Sequence, residues 1–254
     1  MKNLKLAAVC LSCLTMTGCS ALNFSVEGLI NAPKLTSEQS EIHQALIESV
    51  GSNITLKYPK NGEYRSAYVI ANIDDEPTDE AMVFYEYTSN GSEEDGLRVN
   101  ILDKDEDGKW YSVKELAGAG TDIDQVIISP MGSNNQTDVF VGYQNLTNDE
   151  KTMEIYSYTD GDFKRVALDT YSVLEPLDIN NDGYIELITI QRSTNNDTGA
   201  VTAKASMLNM KNNEITRGEN VDMCDNVTSY VSSKTGMLDS GRRAIFIDGL
   251  TADG

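Results

Sequence analysis

The sequence predicts an all-β fold, a β-propeller-like array of four-stranded blades. From Tyr58 onward, short apolar runs alternate with turn-forming clusters, which is the pattern of strands. Three stretches align without a gap on one acidic residue: "NIDDEPTDEAMVFYE" (72–86), "PMGSNNQTDVFVGYQ" (130–144) and "DINNDGYIELITIQR" (178–192). A fourth, "TGMLDSGRRAIFIDG" (235–249), fits more loosely, so Glu80, Asp138, Glu186 and Arg243 occupy equivalent places. Between them, "LRVNILDKDEDGKWYSVKEL" (97–116), "KTMEIYSYTDGDFKRVALDT" (151–170) and "KASMLNMKNNEITRGENVDM" (204–223) each read as strand, polar turn, strand. Four strands in about 50 residues is the size of one propeller blade, and stacked blades hide faces that a lone sheet leaves wet.

The chain opens with an address. Lys2 and Lys5 precede an apolar run from Leu6 to Met16, too short to span a bilayer, which takes about 20 apolar residues. The run ends in Met16-Thr17-Gly18-Cys19, which resembles the lipobox of bacterial lipoproteins. That resemblance implies a signal peptide over 1–18, cleavage before Cys19, acylation of the Cys19 thiol and an extracytoplasmic, membrane-anchored location. Residues 19–35 have no steady period and read as the tether.

A short helix is expected over 36–51. Thr36 with Gln39 three residues later is a capping box, and Ile42, Ala45, Leu46 and Val50 share one face. Gly51 is placed to end it. His43, the only histidine, lies beside that face as a half-exposed residue.

The repeat region, 58–254, divides into blades at about 58–116, 117–170 and 171–223, with 224–254 as a partial fourth. Asp107-Gly108 and Asp160-Gly161 are hairpin signals, because such pairs tolerate positive φ. Three and a half blades do not complete a ring of the usual four to eight. The expectation is that the sequence is a fragment of a longer propeller.

The stretch 178–186 sets Asp178, Asn180 and Asp182 at alternate positions, then Gly183, then Glu186. This spacing aims three oxygen-bearing side chains at one point, as a hard cation such as Ca²⁺ requires, and Asp, Asn and Gly also make a good bare turn. The weaker counterpart is Asn72, Asp74, Glu76 and Glu80, where Pro77 replaces the glycine and fixes φ near −65°. Pro130, Gly132 and Asn134 of the second stretch offer no ligand set, and Asp103, Asp105 and Asp107 read as a solvated turn.

The core "DINNDGYIEL" (178–187) followed by an apolar strand resembles the FG-GAP/VCBS repeats of extracellular β-propellers. Together with the lipobox, the helix and "YRSAYVIANID" (64–74), the chain is similar to lipoproteins of gut Clostridia that carry such repeats. The resemblance implies a calcium loop with ligands from Asp178, Asn180, Asp182, Glu186 and the Tyr184 carbonyl.

Composition narrows the function. With 40 acidic against 20 basic residues, the formal charge of −20 repels nucleic acid. One histidine leaves no Ser-His-Asp, Cys-His or zinc arrangement, and no glycine-rich phosphate loop is present. Of the four cysteines, Cys10, Cys13 and Cys19 lie in the leader and Cys224 stands alone, so no disulfide framework is expected. The expected function is a calcium-stabilised surface module recognising a glycan, peptide or partner protein, more a binder than an enzyme. Tyr64, Arg65, Trp110 and Tyr111 are the expected contacts. The alternatives are an envelope polysaccharide lyase or hydrolase, since paired carboxylates are abundant, and a structural subunit of a membrane complex.

Overall fold

The structure, a computed structural model, describes residues 35–74, 76–88, 96–132, 136–145, 150–194, 197, 201–211, 214–223 and 227–251. The expected signal peptide over 1–18, the expected acylation site Cys19, the expected tether up to residue 34, Asn134 and Cys224 lie outside the described residues.

Helix α1 (Ser37–Val50) starts as its cap predicts. The Gln39 amide N–H donates to Thr36 Oγ1 and the Thr36 N–H to Gln39 Oε1, each at 3.1 Å, so two orphan donors of the first turn are satisfied. Gly51, at φ 84°, ends it by donating its N–H to the Ile47 carbonyl at 2.9 Å. No helix among the described residues is long and apolar enough to cross a membrane.

The strands form four antiparallel sheets. The first holds β1 (Ile54–Leu56), β2 (Tyr68–Ala71), β3 (Glu80–Tyr87), β4 (Leu97–Lys104) and β5 (Trp110–Ala117). The second holds β6 (Asp122–Ser129), β7 (Asp138–Gln144), β8 (Lys151–Thr159) and β9 (Asp162–Tyr171). The third holds β10 (Val173–Leu177), β11 (Glu186–Thr194), β12 (Val201–Lys211), β13 (Glu214–Arg217) and β14 (Val221–Asp222). The fourth holds β15 (Val227–Met237) and β16 (Arg243–Thr251). An all-β architecture after a single short helix is therefore present among the described residues.

Two sheets have five strands where four were expected, for a local reason. β1 and β2 lie end to end along the same edge of β3, with Ile54 opposite Tyr87 and Tyr68 opposite Val83. β13 and β14 share one edge of β12 in the same way. Each of these sheets is thus still four positions wide. The turns match their chemistry: Gly108, Asp160 and Gly161 all adopt positive φ.

In the first and second sheets the strand in second place, β3 or β7, is buried on both faces. On β3, Met82 and Phe84 face the second sheet, joining Val139, Val141 and Tyr143 of β7. Ala81, Val83 and Tyr85 face the other way, onto Ile42, Ala45 and Leu46 of α1. On β7, Phe140 points away from the first sheet and joins Leu174, Leu187 and Leu208 of the third. This explains why "EAMVFYEY" and "DVFVGYQ" read as nearly continuous apolar runs, since alternate side chains each meet a neighbour. Full burial of a side chain such as Phe84 or Phe140 contributes about 1.5–3 kcal/mol.

Leu46 is fully buried between α1 and the first sheet, so Leu46→Ala should destabilise the fold by about 2–4 kcal/mol, read from the urea unfolding midpoint.

Candidate functional site

The acidic residue that aligns across the repeats has the same structural role in three sheets. Glu80 Oε2 accepts the Ile73 N–H at 2.8 Å, Asp138 Oδ2 the Met131 N–H at 3.0 Å, and Glu186 Oε2 the Ile179 N–H at 2.9 Å. Each carboxylate heads its strand and reaches back seven residues, clamping the loop that joins the first and second strands. All three are buried. Burial pushes the Glu80 carboxyl up to about 7 against the Ile73 bond, with the charges of Asp74 and Asp103 adding to the rise. Burial also raises Asp138, opposed by the bonds from Ser157 and Met131.

In the 178–186 loop the expected ligand atoms are gathered around backbone amides. Asp178 accepts from the N–H groups of Asp182 and Gly183, each at 3.1 Å. Asn180 Oδ1 accepts the Asp182 N–H at 2.8 Å, and Asp182 Oδ1 accepts the Tyr184 N–H at 2.9 Å. Asn180 Nδ2 donates to Glu186 Oε1 at 2.9 Å. Asn181 at φ 60° and Gly183 at φ 92° make the reversal that brings these groups together. Arg243, at the corresponding place in the fourth sheet, donates from Nη1 to the Asp178 carbonyl. The structure thus brings Asp178, Asn180, Asp182, Tyr184 and Glu186 into one tight loop.

The 72–80 loop is built differently. The Asn72 amide is a donor, from Nδ2 to the carbonyls of Glu76 and Thr78, so its nitrogen faces the oxygens that a cation would face. Asp74 Oδ1 accepts the Glu76 N–H at 2.7 Å. In the 103–108 hairpin, Asp105 Oδ1 accepts from Asp107 and Lys109 N–H groups at 3.0 and 2.9 Å, a side-chain-braced turn. Among the described residues, no three His, Cys, Asp or Glu side chains stand close enough together to hold a metal ion.

A second feature was not legible as a motif. The first strands of the second, third and fourth sheets, with the segment leading to β2, wall one cleft of about 550 Å³. Asn61 and Tyr64 come from that segment, Asp124 and Val126 from β6, Glu175 from β10 and Ser233 from β15. Asp124 is the extra residue of a bulge, since Ile123 lies opposite Tyr143 and Gln125 opposite Gly142. It is 1% exposed and fully engaged. Its Oδ1 accepts from Asn61 Nδ2 and Lys151 Nζ, both at 2.8 Å, and its Oδ2 from the Tyr171 hydroxyl at 2.6 Å. Burial and the neighbouring Asp124 charge hold the Tyr171 phenol far above its ordinary range. Gly142 makes room for that hydroxyl, because a Cβ there would lie 2.1 Å from it.

Of the expected aromatic and basic contacts, Tyr64 lines the cleft, and Arg65 and Tyr111 are exposed. Trp110 is not a surface contact. It is buried in the cluster beneath α1, with the Lys104 ammonium 4.4 Å from its ring centroid. His43 sits half-buried on α1, its Nδ1 2.9 Å from the Tyr68 hydroxyl.

Because Asp138 titrates higher in the folded chain than in the unfolded one, its contribution to stability is largest in acid and declines as pH rises above its unfolded value of about 3.8. Asp138→Asn keeps an acceptor for the Met131 N–H without the charge. The difference in thermal midpoint, variant minus parent, should grow between pH 4 and pH 7. A difference independent of pH would remove the charge from this account.

No protein-family model matches the chain, and no curated protein is significantly similar to it.

Proposed function

We propose that the chain is a lipid-anchored, extracytoplasmic binding module whose sheets act as the blades of an open propeller-like arc, with the shared cleft as its recognition site for a glycan, peptide or partner protein. One observation carries this reading: the first strands of the second and third sheets, the segment before β2 of the first and Ser233 of the fourth wall a single cleft of about 550 Å³. Blades radiating from an axis bring their first strands together in this way, and a concave, mixed polar and apolar cleft is the usual form of a binding site. The arc is open at its first sheet, whose face away from the second sheet is covered by α1, where a closing blade would need to pack. Attachment to the membrane rests on the lipobox at Cys19.

Binding without turnover is the expected result when the full chain is presented with glycan and peptide arrays. Val173→Trp, which fills the cleft from β10, should abolish capture while leaving the thermal midpoint within a few degrees of the parent. Release of reducing ends from a captured polysaccharide would replace this reading with a hydrolytic one.

Calcium stabilisation is assigned to the 178–186 loop. Asp178 and Asp182 would turn from the backbone amides of Asp182, Gly183 and Tyr184 toward the ion, joined by Asn180, Glu186 and the Tyr184 carbonyl. An extracellular site of this kind has an affinity on the order of 10⁻⁴–10⁻³ M. Calcium at about 10 mM should therefore raise the thermal midpoint by a few degrees, chelator should reverse the rise, and Asp182→Ala should remove it. A parent protein indifferent to both reagents has no such site.

A further inference from the structure

We propose that the cleft takes an organic cation, a primary ammonium or guanidinium group carried on a short aliphatic or aromatic body. The inference rests on reading the cleft as the binding site and adds the chemistry of what enters it.

Four charged side chains set the field of the cleft: Glu63, Asp124 and Glu175 against Lys151. The Lys151 charge is spent on Asp124, at 2.8 Å, and the rest of that carboxylate is filled by Asn61 and Tyr171. That pair forms a neutral floor. Glu63 and Glu175 remain, and no ion pair with a described residue neutralises either. Glu175 is half-buried and takes one hydrogen bond, from the Ser233 hydroxyl to Oε1. Burial and the Glu63 charge raise the Tyr64 phenol, which keeps that ring neutral at the cleft wall. Val126, Leu174 and Pro176 supply apolar wall.

Each ligand class meets a different balance in this lining. An anion meets two unpaired carboxylates and finds the one ammonium already engaged. A neutral polyol strips water from half-buried Glu175 and offers neither it nor the exposed Glu63 a charge in return, which is costly. An ammonium or guanidinium answers the charge, its carbon body covers the apolar wall, and the Tyr64 ring offers a cation–π face. The formal charge of −20 adds long-range attraction in the same direction.

The test is calorimetric titration of the full chain with spermidine, N-acetyl-lysine amide and N-acetyl-arginine amide, with sorbitol as the neutral probe, at low and high salt. At least one cationic probe should bind with one-to-one stoichiometry and a Kd on the order of 10⁻⁴ M, weakened by salt, while sorbitol gives no heat. Glu63→Gln and Glu175→Gln should each weaken it about tenfold, and Glu175→Asp should retain most of it. Melting curves check that these near-isosteric variants fold. Preference for spermidine identifies a free polyamine, and preference for either amide a basic peptide side chain. No heat from any cationic probe, or binding that both Gln variants leave unchanged, overturns the inference. A glycan captured by the parent and lost in Val173→Trp, with all cationic probes silent, removes the cation and leaves the cleft reading standing. Cation binding that Val173→Trp leaves intact removes the cleft from both.

Discussion

A carboxylate that reaches back seven residues to a backbone N–H recurs at Glu80, Asp138 and Glu186, and the order of the sheets depends on it. The loop between the first and second strands has no ladder partner for its own amides, and a buried N–H without an acceptor costs about 1–3 kcal/mol. Placing an acid at the head of the second strand meets that need with a charge-assisted bond and holds the strand entry still. The cost is a buried carboxylate, visible in the upward shift of Glu80 to about 7. Asp138 offsets part of its own cost by accepting from Ser157 of β8, so loop, second strand and third strand are tied at one point.

Once the loops are held, packing follows from period-two alternation. β3 offers Met82 and Phe84 to the second sheet and Val83 and Tyr85 to α1, while β7 divides its residues between the first and third sheets. A sheet sandwiched between neighbours needs apolar residues on both faces, and a sheet at an end needs a cover. Helix α1 is that cover for the first sheet. On the two-stranded fourth sheet, Met237 and Leu250 are more than half exposed, at 65% and 54%.

Much of this was legible in the sequence because it is local. The capping box of Thr36 and Gln39, the end of the helix at Gly51, the hairpins at Gly108 and Gly161 and the alternation of the strands each depend on residues a few positions apart. The alignment of Glu80, Asp138 and Glu186 was also legible, but not its use, since loop clamping and metal ligation both ask for an anionic oxygen at that place. The Asp124 cluster was hidden for the opposite reason. Asp124, Lys151 and Tyr171 come from three strands of the second sheet, with Lys151 opposite Tyr171, and Asn61 comes from the segment before β2. They lie far apart in the chain, and only strand pairing and the approach of that segment bring them together. One trace was available: in "DIDQVIIS" an acid interrupts an apolar strand, and the bulge that turns it inward leaves no simpler mark. Trp110 was misplaced because its strand alone reads as exposed, whereas the cover that buries it comes from a helix some sixty residues earlier.

The 178–186 loop and the cleft use the same currency of oxygen atoms with different competitors. In the loop, the side-chain oxygens of Asp178, Asn180 and Asp182 are held by the chain's own N–H groups, so a cation would have to outcompete three amides, making four hydrogen bonds, that are always present at high local concentration. For the calcium site proposed there, that competition would limit affinity to the weak range of extracellular modules. In the cleft, Asp124 is likewise satisfied from within, by Lys151, Tyr171 and Asn61. Glu63 and Glu175 have water as their main competitor, and a ligand that displaces water from them with a charge and a carbon surface gains on both counts. The internal satisfaction of Asp124 is what makes this selective: with its floor neutral, the cleft attracts cations through two carboxylates at its walls, and the ion pair of buried Asp124 with half-buried Lys151 stays out of the exchange.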